Sequence, residues 1–161
     1  QGADCLGQII RDRRTLGAGE NTCRITACDS DVRSEPFGTT DTVTAYEFLT
    51  PYLALNQQHA KQFYSLNGKA QRDAFLQTLL CAHLATLAKS LDYRITTPVS
   101  CEAKVRFKKD RIAKENVMVF LGKFRTNLRI PDYIGIGRLV SQGYGTIKCI
   151  RESSDIHAGE L

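Results

Sequence analysis

The chain has 161 residues, 42% hydrophobic and 24% charged, the mix of a soluble globular protein, which excludes fibrous and disordered classes. Its longest apolar stretch, residues 75–91, is interrupted by Gln77, His83 and Lys89 and falls short of the ~20 apolar residues a membrane span needs, and the first residues show no signal-peptide pattern. The net charge of +5 is uneven: residues 1–97 carry ten Lys/Arg against ten Asp/Glu, residues 98–151 twelve against four, and residues 152–161 none against three, which points to a polyanion partner for one basic region.

In chain order, Leu6, Ile9, Ile10 and Arg13 predict a helix over 3–16, stopped by Gly17 and Gly19. A short strand pattern covers 22–32. Pro36, Gly38 and Asp41 mark a loop, and 43–49 has strand composition ended by Thr50-Pro51. A helix over 56–66 breaks at Asn67-Gly68. The next, over 70–91, places Leu76, Leu80, His83, Leu84, Leu87 and Leu91 on one face and is the expected core helix. His83 on that face reads as a core histidine with a hydrogen-bond partner, whereas His59 is more open.

From Val99 the period changes to two. Val99, Cys101, Ala103, Val105 and Phe107 alternate with Ser100, Glu102, Lys104, Arg106 and Lys108. A turn is expected at Lys108-Lys109-Asp110-Arg111, followed by a strand over 112–121. Its continuation alternates Phe124, Thr126, Leu128 and Ile130 with Lys123, Arg125, Asn127 and Arg129. Both arms therefore show cations opposite the core. A last strand covers 144–150, before an acidic tail expected to be flexible.

From Val43 the order is that of an α+β, ferredoxin-like (RRM-like) β-α-β-β-α-β unit, with a glycine-rich segment replacing or following a short second helix. The expected domains are 1–42, part of a second such unit without its opening strands; 43–151, the C-terminal ferredoxin-like unit with the glycine-rich segment; and the tail 152–161. The cysteines, Cys5, Cys23, Cys28, Cys81, Cys101 and Cys149, are scattered, without zinc spacing or a disulfide pattern. Reduced thiols, no metal, no cofactor and a cytoplasmic setting are expected.

The segment Gly135-Ile136-Gly137-Arg138-Leu139-Val140-Ser141-Gln142-Gly143-Tyr144-Gly145 holds two Gly-x-Gly pairs. Such glycines permit positive φ and close backbone approach, and they suggest a nest of N–H groups for phosphate. A dinucleotide fingerprint is excluded because its third glycine would fall at Val140, and a P-loop because no Gly-Lys-Ser/Thr follows.

Together with Ile130-Pro131-Asp132-Tyr133-Ile134 before it and Thr146-Ile147 after it, this segment resembles the C-terminal signature of the CRISPR-associated endoribonucleases that process repeat RNA. Residues 46–56, Tyr-Glu-Phe-Leu-Thr-Pro-Tyr-Leu-Ala-Leu-Asn, are similar to another stretch of that family, in the same order and at a similar separation. The resemblance covers roughly 30–150. It implies two ferredoxin-like units that bind the repeat of a CRISPR transcript, single-stranded or hairpin, and cut it without a metal. The ribose 2′-hydroxyl attacks the adjacent phosphate, leaving a cyclic phosphate and a free 5′-hydroxyl. In the variant it most resembles, the catalytic histidines lie before the helix with which this chain begins, so the chain is expected to bind repeat RNA and to cut it poorly.

The local substitutes for proton transfer are His59, Lys61 and Tyr64. The RNA-binding candidates are Lys104, Arg106, Lys108, Lys109, Arg111, Lys123, Arg125, Arg129, Arg138 and Ser141, beside the loop glycines Gly135, Gly137, Gly143 and Gly145. Gln142 stands where the family commonly has a cation, and Tyr144 where it has phenylalanine. The other readings are a non-catalytic RNA-holding subunit of a CRISPR effector complex and a ferredoxin-like module for a small anion or a protein. Effector subunits and a second copy of the chain are the further partners considered, with no membrane.

Overall fold

The computed structural model describes residues 8, 15–18, 21–24, 26, 27, 33–112 and 115–151. The chain divides into two compact units, 1–35 and 36–161. In the first, strands β1 (Thr15–Ala18) and β2 (Asn21–Arg24) form an antiparallel hairpin with Thr15 opposite Arg24 and Ala18 opposite Asn21. Gln8 is helical, but a helix reaching residue 16 is overturned, because Thr15 and Leu16 belong to β1. Two residues separate Ala18 from Asn21, so the pairing is local and wins over the helical spacing. The expected strand over 22–32 ends at Arg24; residues 28–32 and most of 1–14 lie outside the described residues.

The second unit holds β3 (Gly38–Phe48), α1 (Gln57–Ser65), α2 (Lys69–Ser90), β4 (Cys101–Ile112), β5 (Glu115–Arg129) and β6 (Ile147–Cys149). The sheet order is β4-β5-β3-β6, with every neighbouring pair antiparallel. Taking the unit's own strands as first to fourth, that is the fourth-first-third-second order of the ferredoxin-like fold, with α1 and α2 making the first crossover. Where a second helix would stand there is one 3-10 turn, Val140–Gln142.

Asn56 caps α1 by accepting from the His59 amide at 2.7 Å, and Gly68 precedes α2 with φ +93. The 3.6-residue period of α2 buries Leu76, Leu79, Leu80, Leu84 and Ala88 against Tyr46, Phe48, Phe124 and Leu128 of the sheet. Leu91, expected on that face, ends the helix and is exposed. His83 is half-buried and hydrogen-bonds through Nδ1 to the Tyr52 hydroxyl at 2.7 Å, the environment expected of a core histidine.

Three strand boundaries differ from the sequence pattern. The strand β3 starts at Gly38, not Val43, and its register shifts between Thr39 and Thr44. This polar start shows no alternation and is held by Tyr93, whose hydroxyl accepts from the Thr39 amide at 3.0 Å. The turn expected at 108–111 is also overturned: Lys108, Lys109, Asp110 and Arg111 pair with Val119, Met118, Val117 and Asn116. Lys108 and Lys109 lie opposite the buried Val119 and the core-packed Met118 but keep their own side chains exposed, and the hairpin tip beyond them outruns the core, so these charges occupy ladder positions without full desolvation. Finally, β6 spans only Ile147–Cys149 of the expected 144–150.

Candidate nucleic-acid interface

The two separated motifs meet. From the glycine-rich segment, the Arg138 amide donates to the Leu53 carbonyl at 3.1 Å and the Gly145 amide to the Pro51 carbonyl at 2.8 Å, while the Leu49 amide donates to the Thr146 carbonyl at 2.8 Å. The Thr146 amide donates to Thr50 Oγ1 at 2.8 Å. Within the segment, the Ile136 amide donates to Gly145 O at 2.9 Å. Residues 49–55 and 135–147 thus form one clasp, floored by the parallel rings of Phe48 and Tyr52, 4.6 Å apart.

Gly137 and Gly145 carry positive φ, +95 and +72; a Cβ on Gly137 would lie 2.6 Å from the Tyr52 ring, and one on Gly145 1.9 Å from Ile136 O. Gly143, at φ +88, faces open space. Since the Ile136, Arg138 and Gly145 amides are taken by carbonyls, the glycines serve close backbone approach, and those amides form no phosphate nest. Arg138 Nη1 also donates to the Leu55 carbonyl at 2.7 Å, which makes part of its guanidinium a strap for the clasp. Ser141 is exposed on the 3-10 turn.

The sheet face turned away from α1 and α2 is built by strand alternation. Ala103, Val105 and Phe124 pack with the core, so the alternate residues point to the other side. There Glu102 pairs with Arg125, Lys104 with Lys123, Arg106 with Leu121 and Lys108 with Val119. Lys123 in turn lies opposite Glu47, and Glu47 opposite Lys148, giving a row Lys104-Lys123-Glu47-Lys148 across all the strands of the sheet. Arg129 follows Arg125 on the same face by alternation. Lys104, Arg106, Lys108, Lys123, Arg125 and Arg129 are all exposed, and among the described residues Lys104 reaches Glu102, at 3.8 Å. Two lysines directly opposite one another destabilise a sheet. Lys109 and Arg111 alternate to the other side of the hairpin and do not join this face.

His59, Lys61 and Tyr64 do not converge. At 100° per residue, the α1 positions of His59 and Lys61 fall on opposite sides. The His59 ring is edge-on to Phe75, centroids 6.0 Å apart, while Lys61 and Tyr64 are exposed. Burial first, then the charges of His59 and Arg138, hold His83 below the ordinary histidine range, while its own hydrogen bond is to the Tyr52 hydroxyl. Burial likewise pushes the Tyr46 hydroxyl up; it accepts from the Ile130 amide at 2.8 Å, tying the start of the second motif to the first.

The site is thus a ferredoxin-like sheet with a row of exposed cations on the face turned away from α1 and α2, closed by a glycine-rich clasp. Residues 38–150 match the Cas6b C-terminal domain family, and the chain belongs to it. It is 29% identical over 150 residues to an uncharacterized protein of Methanocaldococcus jannaschii, covering 91% of this chain and all of that one. Among solved structures it is similar to Cas6b, with TM-score 0.85 and 29% identity over 91% of this chain and 67% of that one. A CRISPR RNA processing endoribonuclease Cas6b gives TM-score 0.77 and 27% identity over 90% of this chain and 71% of that one. Family membership ties the chain to CRISPR RNA.

Proposed function

We propose that the chain binds the repeat segment of a CRISPR transcript along its basic sheet face and takes part in the metal-independent cleavage of that repeat to guide RNA. The observation that carries this reading is the direct opposition of Lys104 and Lys123, flanked along their strands by Arg106 and Arg125, with Lys148 beyond Glu47 in the same row. Like charges held face to face weaken the sheet, and a phosphate backbone lying between them reverses the sign of that interaction. In the reaction the chain's part is positional: cations hold the phosphates on either side of the scissile bond, so that the 2′-hydroxyl lies in line with the bond it breaks. DNA lacks that hydroxyl and is bound without being cut.

A second reading, a subunit that holds the RNA without cutting it, is favoured by one observation: His59, Lys61 and Tyr64 do not come together as a proton-transfer set. The test is labelled repeat RNA, with and without one deoxyribose at the cut site, in buffer containing EDTA. Specific cutting that the deoxyribose abolishes and EDTA does not supports the enzyme; binding without cutting selects the holding subunit. Failure to bind repeat RNA at low salt refutes both.

A further inference from the structure

A second feature lies on the helix side of the edge strand β4. Between the start of α2 and β4 there is a cavity of about 460 Å³ lined by Phe63, Lys69, Arg72, Asp73, Phe107 and Phe120, with Val105 and Arg106 also on its wall. Its size is in the range of small-molecule sites. Two unusual side chains open on it. Phe107 is 55% exposed, although Ala103 and Val105 before it on the same side of the strand pack against the core. Arg72 stacks on the Phe63 ring, its guanidinium carbon 5.4 Å from the centroid, and its buried Nε has no hydrogen-bond partner. A buried donor without an acceptor costs free energy, and the arginine that carries it stands on the cavity wall.

Beside this cavity a second groove of about 700 Å³ runs along the same edge strand, sharing Lys69, Asp73, Val105 and Arg106 and reaching Lys104 and Glu102. Lys104 belongs to the basic row of the open sheet face. A polyanion lying on that face therefore has a continuous path around the free edge to the start of α2. The ligand must be anionic at one end and flat and apolar at the other, with groups for Asp73 to accept from. A nucleotide meets all three conditions: phosphate for Lys69 and Arg72, base for the Phe107 ring, and ribose or base N–H and O–H groups for Asp73.

We infer that this cavity holds one nucleotide of the single-stranded RNA whose backbone lies on the sheet face, its base on Phe107 and its phosphate against Lys69 and Arg72. This rests on the RNA-binding reading above. It adds a second contact region, off the sheet face, that reads a base as well as a phosphate.

The experiment is a salt titration of labelled single-stranded repeat RNA against the wild-type chain, Phe107→Ala, Lys69→Gln, Arg72→Gln and, on the sheet face, Lys123→Gln, with each fold checked by circular dichroism. Loss of one stacked base lowers affinity roughly tenfold, so Phe107→Ala is expected to bind about tenfold more weakly with an unchanged salt slope. Loss of one phosphate contact flattens log affinity against log salt by about 0.7, the result expected for Lys69→Gln; Arg72→Gln should match it if that variant folds. Wild-type affinity in both Phe107→Ala and Lys69→Gln, alongside weaker binding by Lys123→Gln, overturns the cavity and leaves the sheet face standing. Weakening by the cavity variants but not by Lys123→Gln supports the cavity and removes the sheet face. Equal competition by poly-aspartate shows attraction by charge alone and overturns the nucleotide assignment.

Discussion

Two glycines of the clasp, two positions apart, separate conformational strain from close approach. Gly143 and Gly145 both have positive φ, +88 and +72, but only Gly145 is crowded: its Cβ would fall 1.9 Å from the Ile136 carbonyl oxygen, while nothing lies within 4 Å of one on Gly143. Alanine in the left-handed region costs ~1–2 kcal/mol, and for Gly143→Ala that is the whole expected loss. In Gly145→Ala the backbone must also move away from Ile136. That movement stretches the bonds from Ile136 N–H to Gly145 O and from Gly145 N–H to Pro51 O, 2.9 and 2.8 Å, each worth about 1 kcal/mol. The expected loss is ~3–4 kcal/mol. At about 4 °C per kcal/mol for a domain of this size, Gly143→Ala lowers Tm by ~4–8 °C and Gly145→Ala by ~12–16 °C, read by circular dichroism and checked by urea unfolding. Gly143→Asn should recover most of the first loss, since asparagine tolerates this region. Equal losses for the two alanine variants would refute close approach as the reason for Gly145.

His83 is held neutral by burial, assisted by the charges of His59 and Arg138. The unfolded chain protonates it at the ordinary value near 6.5, so its contribution to stability is present above that pH and is lost as pH falls toward the depressed folded value. His83→Gln should flatten this part of the urea midpoint between pH 8 and 5; an unchanged profile excludes His83 as its source. Asp132 accepts from the Cys149 amide at 2.7 Å and meets Arg151 at 3.5 Å. Asp132→Ala should therefore cost about 1–2 kcal/mol in denaturant unfolding, while Asp132→Asn retains most of it; equal loss in both assigns the effect to charge.

Much of the fold was legible where one face of an element is buried. The period of α2 marked Leu76, Leu80 and Leu84 as inward but missed Leu79 and included the exposed Leu91, and the alternation of β4 and β5 marked the exposed cations opposite the core. Legibility failed where burial stops deciding the side. At Lys108–Arg111, toward the hairpin tip, charged residues escape full desolvation, so they sit in a strand and read as a turn. At Gly38–Val43 a bulged, polar strand is held by Tyr93, 54 residues away in sequence. The glycine spacing announced a tight loop, but the partner of that loop, residues 49–55, is set by hydrogen bonds between segments about 90 residues apart, which no local pattern encodes. The same holds for His83, whose hydrogen-bond partner Tyr52 lies 31 residues away in sequence.

The clasp explains why the two stretches that carry the family resemblance occur together: each supplies the hydrogen-bond partners of the other. The resemblance therefore speaks for a frame, and the claim about RNA has to rest on the sheet face, where Lys104 opposes Lys123. These two contributions respond in opposite ways to substitution. A clasp variant such as Gly145→Ala loses RNA binding only in proportion to the fraction unfolded. Lys104→Gln removes a like-charge opposition, so stability should hold or rise by up to ~1 kcal/mol, while log affinity for repeat RNA falls and its salt slope flattens by about 0.7. Unfolding and binding measured on the same preparation of each variant decide the matter. A Lys104→Gln protein that is less stable than the wild type and binds RNA equally well would show that the row serves the sheet and not the RNA.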